Sequence, residues 1–167
     1  MLRGDILGEG VDLTAIVRGQ DAVVSTLGVG NSLRSRGLIG RAVPKIIRAM
    51  EEAGVSRFIL TSAYGVGDTM HDVPLFPRLL MKLLLRDLYA DKSAGDDALR
   101  ASPLDWTIVH PVTLTDGPPT GHYRAGLRLK LAGFPRISRA DVALFLLAQV
   151  EDRAYSRRDV LLGPARA

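Results

Sequence analysis

Four short apolar runs separate longer amphipathic stretches along the chain. The runs are "DAVVSTLG" (21–28), "RFILTSA" (57–63), "WTIVHP" (106–111) and "DVLLGP" (159–164), and they end in turn-forming or polar residues. Each run is nearly continuous rather than alternating in polarity, which is typical of strands covered on both faces in a parallel sheet. The pattern therefore predicts four buried strands.

The stretches between these runs have the spacing of amphipathic helices. Residues 35–54 place their apolar side chains on one stripe and stop at Gly54. Pro44 lies within this pattern and is expected to kink the helix or to mark its true first turn. Residues 76–102 indicate one long helix or two, ending before Pro103.

The last predicted helix has a capping signature at its start. Ser138 is expected to cap a helix over 138–152, and Asp141, three residues on, makes an Asp-bearing variant of the capping box. Strands and helices that alternate in this way predict an α/β fold, a parallel sheet with right-handed crossovers and flanking helices. The 167 residues fit one domain.

Residues 113–137 interrupt this alternation. Pro118, Pro119 and Pro135, together with several glycines, predict a loop with a short hairpin. The segment follows the strand at 106–111, and open α/β sheets bind ligands beyond the carboxyl ends of their strands. The segment is therefore either a substrate lid or an ordinary surface loop.

Composition narrows the chemistry that the chain can perform. There is no cysteine, which excludes disulfides and cysteine-based nucleophiles, and the three histidines are too far apart to suggest a metal site. The formal net charge is +4, but the arginines are scattered and aromatic residues make up only 5%. An ordinary basic surface is therefore expected rather than a nucleic-acid site.

Nothing in the sequence indicates a membrane span or a secretory leader. The most apolar run, residues 75–89, is interrupted by Arg78, Lys82 and Arg86 and is too short to cross a bilayer. A cytoplasmic location and a small-molecule substrate are the resulting expectations.

Five segments, taken in order, resemble a known family. They are "GDIL", "GQDAVVSTLG", "AGVSRFILTSAYGVGD", "LRASPLDWTIVHPVTLTDGPPTG" and "ISRADVALFLL". Together they resemble the atypical short-chain dehydrogenase/reductase superfamily, in the NAD(P)H-binding branch with NmrA-like proteins and biliverdin-IXβ (flavin) reductases. The resemblance covers almost the entire chain. It implies a Rossmann-like fold and a cofactor, NADP or NAD, with NADPH favoured.

The resemblance also implies an incomplete domain. In the family, "MLRGD" matches the third strand. Before it come a first strand, a glycine-rich GATGxxG loop, a helix and a second strand. Residues 1–167 would then be a single, N-terminally truncated NAD(P)-binding Rossmann-like domain. It is either a cut version of a longer product or a chain that folds with a partner or a rearranged edge. Without the family's first strand, the strand at 21–28 would expose an apolar edge that invites aggregation or pairing with another chain. The segment "GVGNSLRSRG" (28–37) lacks the G-x-G-x-x-G spacing of a phosphate loop.

Cofactor contacts are implied at strand ends and turns. The resemblance assigns the adenine contact to Asp5 and Ile6, the ribose and pyrophosphate contact to Leu27, Gly28 and Val29, and the carboxamide contact to Pro111, Val112 and Thr113. The alternative for each is a residue that merely ends a strand or forms a turn.

Catalytic residues are implied on the next strand and helix. Thr61 and Ser62 end the strand at 57–63, and Thr61 is assigned to cofactor binding. Ser62 matches the family serine beside the nicotinamide, whose hydroxyl donates to a substrate oxygen or relays a proton. Lys92 matches the family lysine and would contact the nicotinamide ribose. Leu88 occupies the position of the family tyrosine. Tyr89 lies on a neighbouring part of the same helix face and is the remaining catalytic candidate, unless that face is simply solvated.

These assignments predict an NAD(P)H-dependent oxidoreductase of the flavin/biliverdin-reductase-like type, which transfers a hydride to a small conjugated acceptor. Two alternatives stay open. One is a non-catalytic NmrA-like redox sensor with a protein partner. The other is a remnant with little cofactor affinity. A homodimer is also left open.

Overall fold

A computed structural model describes residues 4–8, 10–30, 32, 34–73, 78 and 83–165. In chain order its elements are α1 (Leu13–Val17), β1 (Ala22–Ser25), α2 (Leu38–Ala53), β2 (Arg57–Thr61), a 3-10 helix (Gly67–Asp72), α3 (Arg86–Ala101), β3 (Asp105–Pro111), β4 (Thr113–Thr115), β5 (Tyr123–Gly126), β6 (Arg136–Ser138), α4 (Arg139–Glu151) and β7 (Arg158–Pro164). No helix in these ranges is long and apolar enough to cross a membrane.

The larger sheet in the described residues has the strand order β1–β2–β3–β7–β5. Strands β1, β2, β3 and β7 are parallel, and β5 pairs antiparallel to β7. All four predicted strands are therefore present. The predicted α/β class, a Rossmann-like parallel sheet with flanking helices, is confirmed.

Both faces of the sheet are buried. Successive residues of a strand point to opposite faces, and in β2 Leu60 packs in one apolar cluster with Met50 of α2. Its neighbour Ile59 packs in the other cluster with Phe145 of α4. Ile59 and Leu60 are 0% and 1% exposed. This two-sided burial is the reason that the strands appear in the sequence as continuous apolar runs.

Both predicted helices before β3 are present, and their bounds can be compared with the expectation. Helix α2 begins at Leu38 and ends at Gly54, which has a left-handed φ of 74° and donates its N–H to the carbonyl of Glu51. Pro44 lies inside the helix, so its interpretation as the first turn is wrong. Helix α3 ends before Pro103 as predicted. The beginning of the predicted helix over 76–102 falls partly outside the described residues.

Residues 113–137 are mostly loop, as predicted, but the segment contains three short strands instead of a local hairpin. Strand β4 pairs in parallel with β6, with Thr113 opposite Arg136, and β5 joins the large sheet with Tyr123 opposite Pro164. The hairpin prediction is wrong because the partners of β4 and β5 lie farther along the chain. Proline and glycine content predicts turns but carries no information about such non-local pairing.

The start of the chain is described only in part. Residues 1–3 of "MLRGD", where the resemblance implies a strand that ends at Gly4 and Asp5, lie outside the described residues. The residues that follow form a turn, in which the N–H of Gly8 donates to the carbonyl of Asp5 at 2.9 Å. In the described part of the chain β1 is an edge strand. Val24 on that strand is 37% exposed, which agrees with the predicted apolar edge.

A carboxylate from α3 binds the N-terminus of α2. Asp91 accepts hydrogen bonds from the N–H groups of Ile39 at 3.0 Å and Gly40 at 2.8 Å. A Cβ on Gly40 would lie 3.1 Å from the Asp91 carboxylate, so this close approach favours glycine. Because Asp91 already accepts from these first-turn amides, they are not open to a phosphate group. This agrees with the prediction that residues 28–37 are not a phosphate loop.

We expect Asp91→Ala to destabilise the protein by about 2 kcal/mol, because it leaves two helix N–H groups without an acceptor. Urea unfolding followed by circular dichroism measures this change. Asp97→Ala is the matched control on the same helix. Asp97 makes a surface ion pair with Arg100, and its loss should change stability by less than about 1 kcal/mol. Equal effects of the two substitutions would contradict this account.

The predicted cap of the last helix is confirmed. The Ser138 hydroxyl accepts the N–H of Asp141 at 2.9 Å. The Asp141 carboxylate in turn accepts from the N–H groups of Thr120 at 2.7 Å and Gly121 at 2.8 Å. Although burial acts to raise it, these bonds and those from the Thr120 and Ser138 hydroxyls lower the pKa of Asp141 to about 2.

We expect Asp141 to make stability depend on acid pH. Its folded pKa of about 2 lies below the ordinary value of 3.8. Its contribution is therefore complete above pH 3.8 and disappears as the pH falls towards 2. Thermal unfolding of the native chain and of Asp141→Asn across this range measures the difference between them. Their stabilities should converge at low pH, and a constant difference would refute the prediction.

Candidate functional site

A cleft of about 680 Å³ opens at the carboxyl edge of the parallel sheet. We call it the strand-end cleft. It is lined by Thr26, Leu27, Gly28, Val29, Gly30, Thr61, Ser62, Ala63, Tyr64, Leu85, Leu88, Tyr89, Lys92, Pro111, Val112, Thr113, Leu114 and Arg139. Its volume is in the range of about 300–1,000 Å³ that is usual for small-molecule sites. Its position is the one where open α/β sheets bind ligands.

The strand-end cleft brings together all but two of the predicted site residues. The residues that line it are Leu27, Gly28, Val29, Thr61, Ser62, Tyr89, Lys92, Pro111, Val112 and Thr113. They end or follow three neighbouring parallel strands or lie on α3, so residues distant in sequence meet at one edge. Their individual roles stay predictions.

Asp5 and Ile6 lie elsewhere. The exposed Asp5 carboxylate accepts the N–H of Leu7 at 2.9 Å. Ile6 lines a separate apolar cavity of about 320 Å³ beside β1. The two cavities adjoin, because Thr26 and Leu27 line both of them.

Ser62 is held on three sides. Its N–H donates to the carbonyl of Val109 at 2.8 Å, and its hydroxyl donates to the Asp96 carboxylate at 2.7 Å. Its own carbonyl accepts from the Lys92 ammonium at 3.5 Å. Strand β3 and helix α3 together therefore place the one serine hydroxyl that lines the described part of the cleft.

The Tyr89 hydroxyl is already engaged. It donates to the carbonyl of Tyr64 at 3.2 Å, and burial raises the pKa of Tyr89. A tyrosine that serves as a general acid needs a pKa nearer to neutrality. The environment of Tyr89 therefore favours a neutral, anchored phenol.

Lys92 is a partly buried cation. Burial lowers the pKa of Lys92, and the charges of Asp96 and Asp91 act in the opposite direction. Its ammonium contacts the carbonyl of Ser62. It lines the strand-end cleft and can donate to a hydroxyl of a bound ligand.

A partly buried group of His110, Arg100 and Asp159 lies beside the cleft. His110 on β3 is fully buried, with Nδ1 3.1 Å from the carbonyl of Ala63 and Nε2 2.8 Å from the Asp159 carboxylate. Arg100 also donates to Asp159, at 2.6 Å. Although burial acts to raise it, these bonds lower the pKa of Asp159 to about 2. Both His110 nitrogens thus face acceptors, which suits a structural role.

Two observations test whether a cofactor fits the strand-end cleft. The Thr61 hydroxyl is buried and has no hydrogen-bond partner among the described residues, so it is available to a ligand. A Cβ on Gly28 would meet nothing within 4 Å, so the backbone there borders open space that a ligand can approach closely. With the Lys92 ammonium, these groups fit a ligand that carries hydroxyl and amide groups.

Sequence reasoning missed several residues of the site. Leu85 and Arg139 line the cleft, and Arg139 follows directly after the predicted Ser138 cap. Asp96, which binds the Ser62 hydroxyl, carried one usable signal. It lies four residues after Lys92, and that spacing places both side chains on one helix face.

The parallel sheet and the cleft at its carboxyl edge define the Rossmann-like class of nucleotide-binding folds. Residues 1–153 match the family described as NAD(P)H-binding, and the chain belongs to this family. The family that the sequence resembles is thereby confirmed. A nicotinamide dinucleotide is the cofactor of that family.

One curated relative is YhfK of Bacillus subtilis, described as an uncharacterized sugar epimerase. It is 32% identical over 156 residues, which cover 90% of this chain and 66% of the relative. The chain thus spans just under two thirds of the length of this relative.

Two solved structures of ChuY are similar in fold. ChuY from E. coli CFT073 has a TM-score of 0.77 at 24% identity, with 96% of this chain and 74% of that chain covered. ChuY from Escherichia coli O157:H7, described as an anaerobillin reductase, has a TM-score of 0.70 at 25% identity. This match covers 90% of this chain and 68% of that chain.

Proposed function

We propose that the protein is an NAD(P)H-dependent oxidoreductase of the flavin/biliverdin-reductase-like type, acting on a small conjugated acceptor. The observation that carries the proposal is the convergence of Ser62, Lys92 and Thr113 on one cleft at the carboxyl edge of the sheet. The 25% identity to ChuY, described as a reductase, supports reduction as the type of reaction. In this proposal residues 1–167 belong to one NAD(P)-binding Rossmann-like domain.

The cofactor, when bound, supplies the hydride and its two electrons, and the protein supplies position and electrostatics. In this proposal Leu27, Gly28 and Val29 hold the ribose and pyrophosphate, Thr61 and Lys92 hold the nicotinamide ribose, and Pro111, Val112 and Thr113 hold the carboxamide.

Adenine would be held by Asp5 and Ile6. The shared border of the two cavities at Leu27 supports this assignment, because a ligand that passes Leu27 reaches the apolar cavity lined by Ile6. NADPH is the form that we favour, and the binding experiment below compares it with NADH.

Ser62 is the proposed proton donor to the acceptor. Its hydroxyl is fixed by β3 and α3, whereas the Tyr89 hydroxyl is bound to the carbonyl of Tyr64. Tyr89 is thus the secondary catalytic candidate. Its main expected contribution is to hold the Tyr64 backbone at the cleft wall.

We expect Lys92→Met to weaken binding of NADPH by about tenfold or more, because a hydrogen bond from a charged group contributes about 1.5–3 kcal/mol. Fluorescence titration with NADPH and NADH measures the affinity. Lys130→Met is the matched control, because Lys130 is exposed and does not line the cleft. The assignment of Lys92 is wrong if both variants bind as the native chain does.

We expect Ser62→Ala to lower kcat by about 100-fold, the lower end of the usual contribution of a positioned proton donor. Tyr89→Phe should have a smaller effect, about tenfold or less, since its phenol is anchored and hard to ionise. The assay follows NADPH oxidation with flavin, quinone and bilin acceptors. The opposite order of effects would transfer the donor role to Tyr89.

The anchored Tyr89 hydroxyl also favours a second candidate function, a non-catalytic redox sensor. Such a protein would bind reduced and oxidised dinucleotide with different affinities and recruit a protein partner. It would show no turnover with any of the three acceptor classes. Calorimetric titration with NADPH and NADP, combined with the acceptor assay, distinguishes the two functions.

A further inference from the structure

A buried carboxyl group with an unfilled oxygen lies directly behind Ser62. Asp96 is 1% exposed, and its Oδ2 accepts the Ser62 hydroxyl at 2.7 Å. Its Oδ1 is also buried and has no hydrogen-bond partner among the described residues. An ionised carboxylate has about four acceptor positions. One serine hydroxyl therefore replaces only a small part of the hydrogen bonds from water that the carboxylate loses on burial. The neutral acid leaves much less charge unpaired.

Asp91, earlier on α3, provides the contrast. It is similarly buried, but backbone N–H groups of α2 fill both of its oxygens. Both oxygens of a buried carboxylate on this helix can therefore find a donor. The incomplete pairing of Asp96 is specific to the position behind Ser62.

We propose that Asp96 is a positioning residue that stores a proton and supplies it to the strand-end cleft through Ser62. A protonated Asp96 donates its hydrogen bond to the Ser62 oxygen, which frees the Ser62 proton for a group in the cleft. An ionised Asp96 instead accepts a hydrogen bond from the Ser62 hydroxyl, so this hydroxyl is no longer free to donate to a group in the cleft. The inference rests on the proposed function, because it assigns the proton source of that reaction.

The proton balance of the step is complete. The acceptor is reduced by the hydride, which forms a new C–H bond, and it gains a proton at a heteroatom from the Ser62 hydroxyl. The oxygen of Ser62 takes the Asp96 proton at the same time, so Ser62 is unchanged and Asp96 becomes a carboxylate. After product leaves, water in the open cleft returns a proton to Asp96 along the same hydroxyl. No further oxidant or reductant is needed.

The charges around Asp96 set the pH at which it stores the proton. Burial raises the pKa of Asp96, while His110 on β3, the Ser62 hydrogen bond and Arg100 on α3 act to lower it. Asp159 on β7 acts to raise it. Lys92 is coupled to Asp96 by their opposite charges. Asp96 thus keeps its proton to a higher pH than an ordinary aspartate, and the supply to Ser62 falls as the pH rises through that folded pKa.

The first test needs no cofactor. Carbon-13 NMR of the side-chain carboxyl groups, recorded as a pH titration, should show one aspartate that titrates above the ordinary range. Asp96→Asn should remove that signal, and Ser62→Ala should shift its midpoint because the hydrogen bond is lost. Titration of Asp96 in the ordinary range, or a midpoint that ignores Ser62→Ala, would overturn the proposal.

The second test follows NADPH oxidation against pH. The native chain should lose kcat as the pH rises through the Asp96 midpoint. Asp96→Asn should lower kcat by about 10- to 100-fold, with a flat profile and an NADPH affinity within about threefold of native. Asp96→Glu should restore part of the rate and the pH dependence. Asp97→Asn, an exposed neighbour, is the matched control and should keep the native profile.

The outcomes separate this inference from the proposed function. Native kcat in Asp96→Asn, or a loss of NADPH affinity as large as the loss of kcat, would overturn the role of Asp96 and leave the oxidoreductase proposal standing. Absence of NADPH binding by the native chain would overturn the oxidoreductase proposal. The carboxyl titration then still decides whether Asp96 stores a proton behind Ser62.

Discussion

Burial of carboxylates on one helix is the constraint on which the arrangement of the site depends. A buried carboxylate needs hydrogen-bond donors, and α3 carries two such groups that face different neighbours. Asp91 takes its donors from the first turn of α2 and so joins the two helices on one face of the sheet. Asp96 takes its donor from Ser62 at the end of β2. The same helix therefore stabilises the fold and aligns the cleft.

The parallel sheet brings the ends of its strands together beside α3. Strands β1, β2 and β3 run in the same direction, so the residues after each of them reach one edge. Lys92 and Ser62 contact each other there through the Ser62 carbonyl. The catalytic proposal thus follows from topology first and from side-chain chemistry second. It does not require the catalytic tyrosine that the resemblance pairs with the family lysine. In this chain Leu88 occupies the position of that tyrosine.

The strands and one helix start were predictable because their signals are local. A run such as 106–111 is buried on both faces, and Ser138 caps its helix with Asp141 three residues away. The strand-end residues of the cleft were also predictable, since the family resemblance placed them in order. These are the features in which short-range pattern and global fold agree.

The features that escaped prediction depend on partners distant in sequence. The pairing of β4 with β6 and of β5 with β7 cannot be read from proline and glycine content. The binding of Asp91 to α2 joins residues 51 and 52 positions apart. The spacing of Asp96 from Lys92 places it on the same helix face, but it does not identify Ser62, 34 positions away, as its partner. Asp5 lies in an exposed turn outside the strand-end cleft, and its expected contact with the cofactor stays a prediction.

The central claim is that a reduced nicotinamide dinucleotide occupies the strand-end cleft. The most direct measurement is a map of backbone amide chemical shifts in the nitrogen-15-labelled protein as NADPH is added. The account predicts the largest changes at Gly28, Ser62 and Thr113, which line the cleft, and no change at the exposed Lys130, which serves as the reference. Changes confined to the exposed turn at Asp5, or no saturable change at any amide of the cleft, would contradict it.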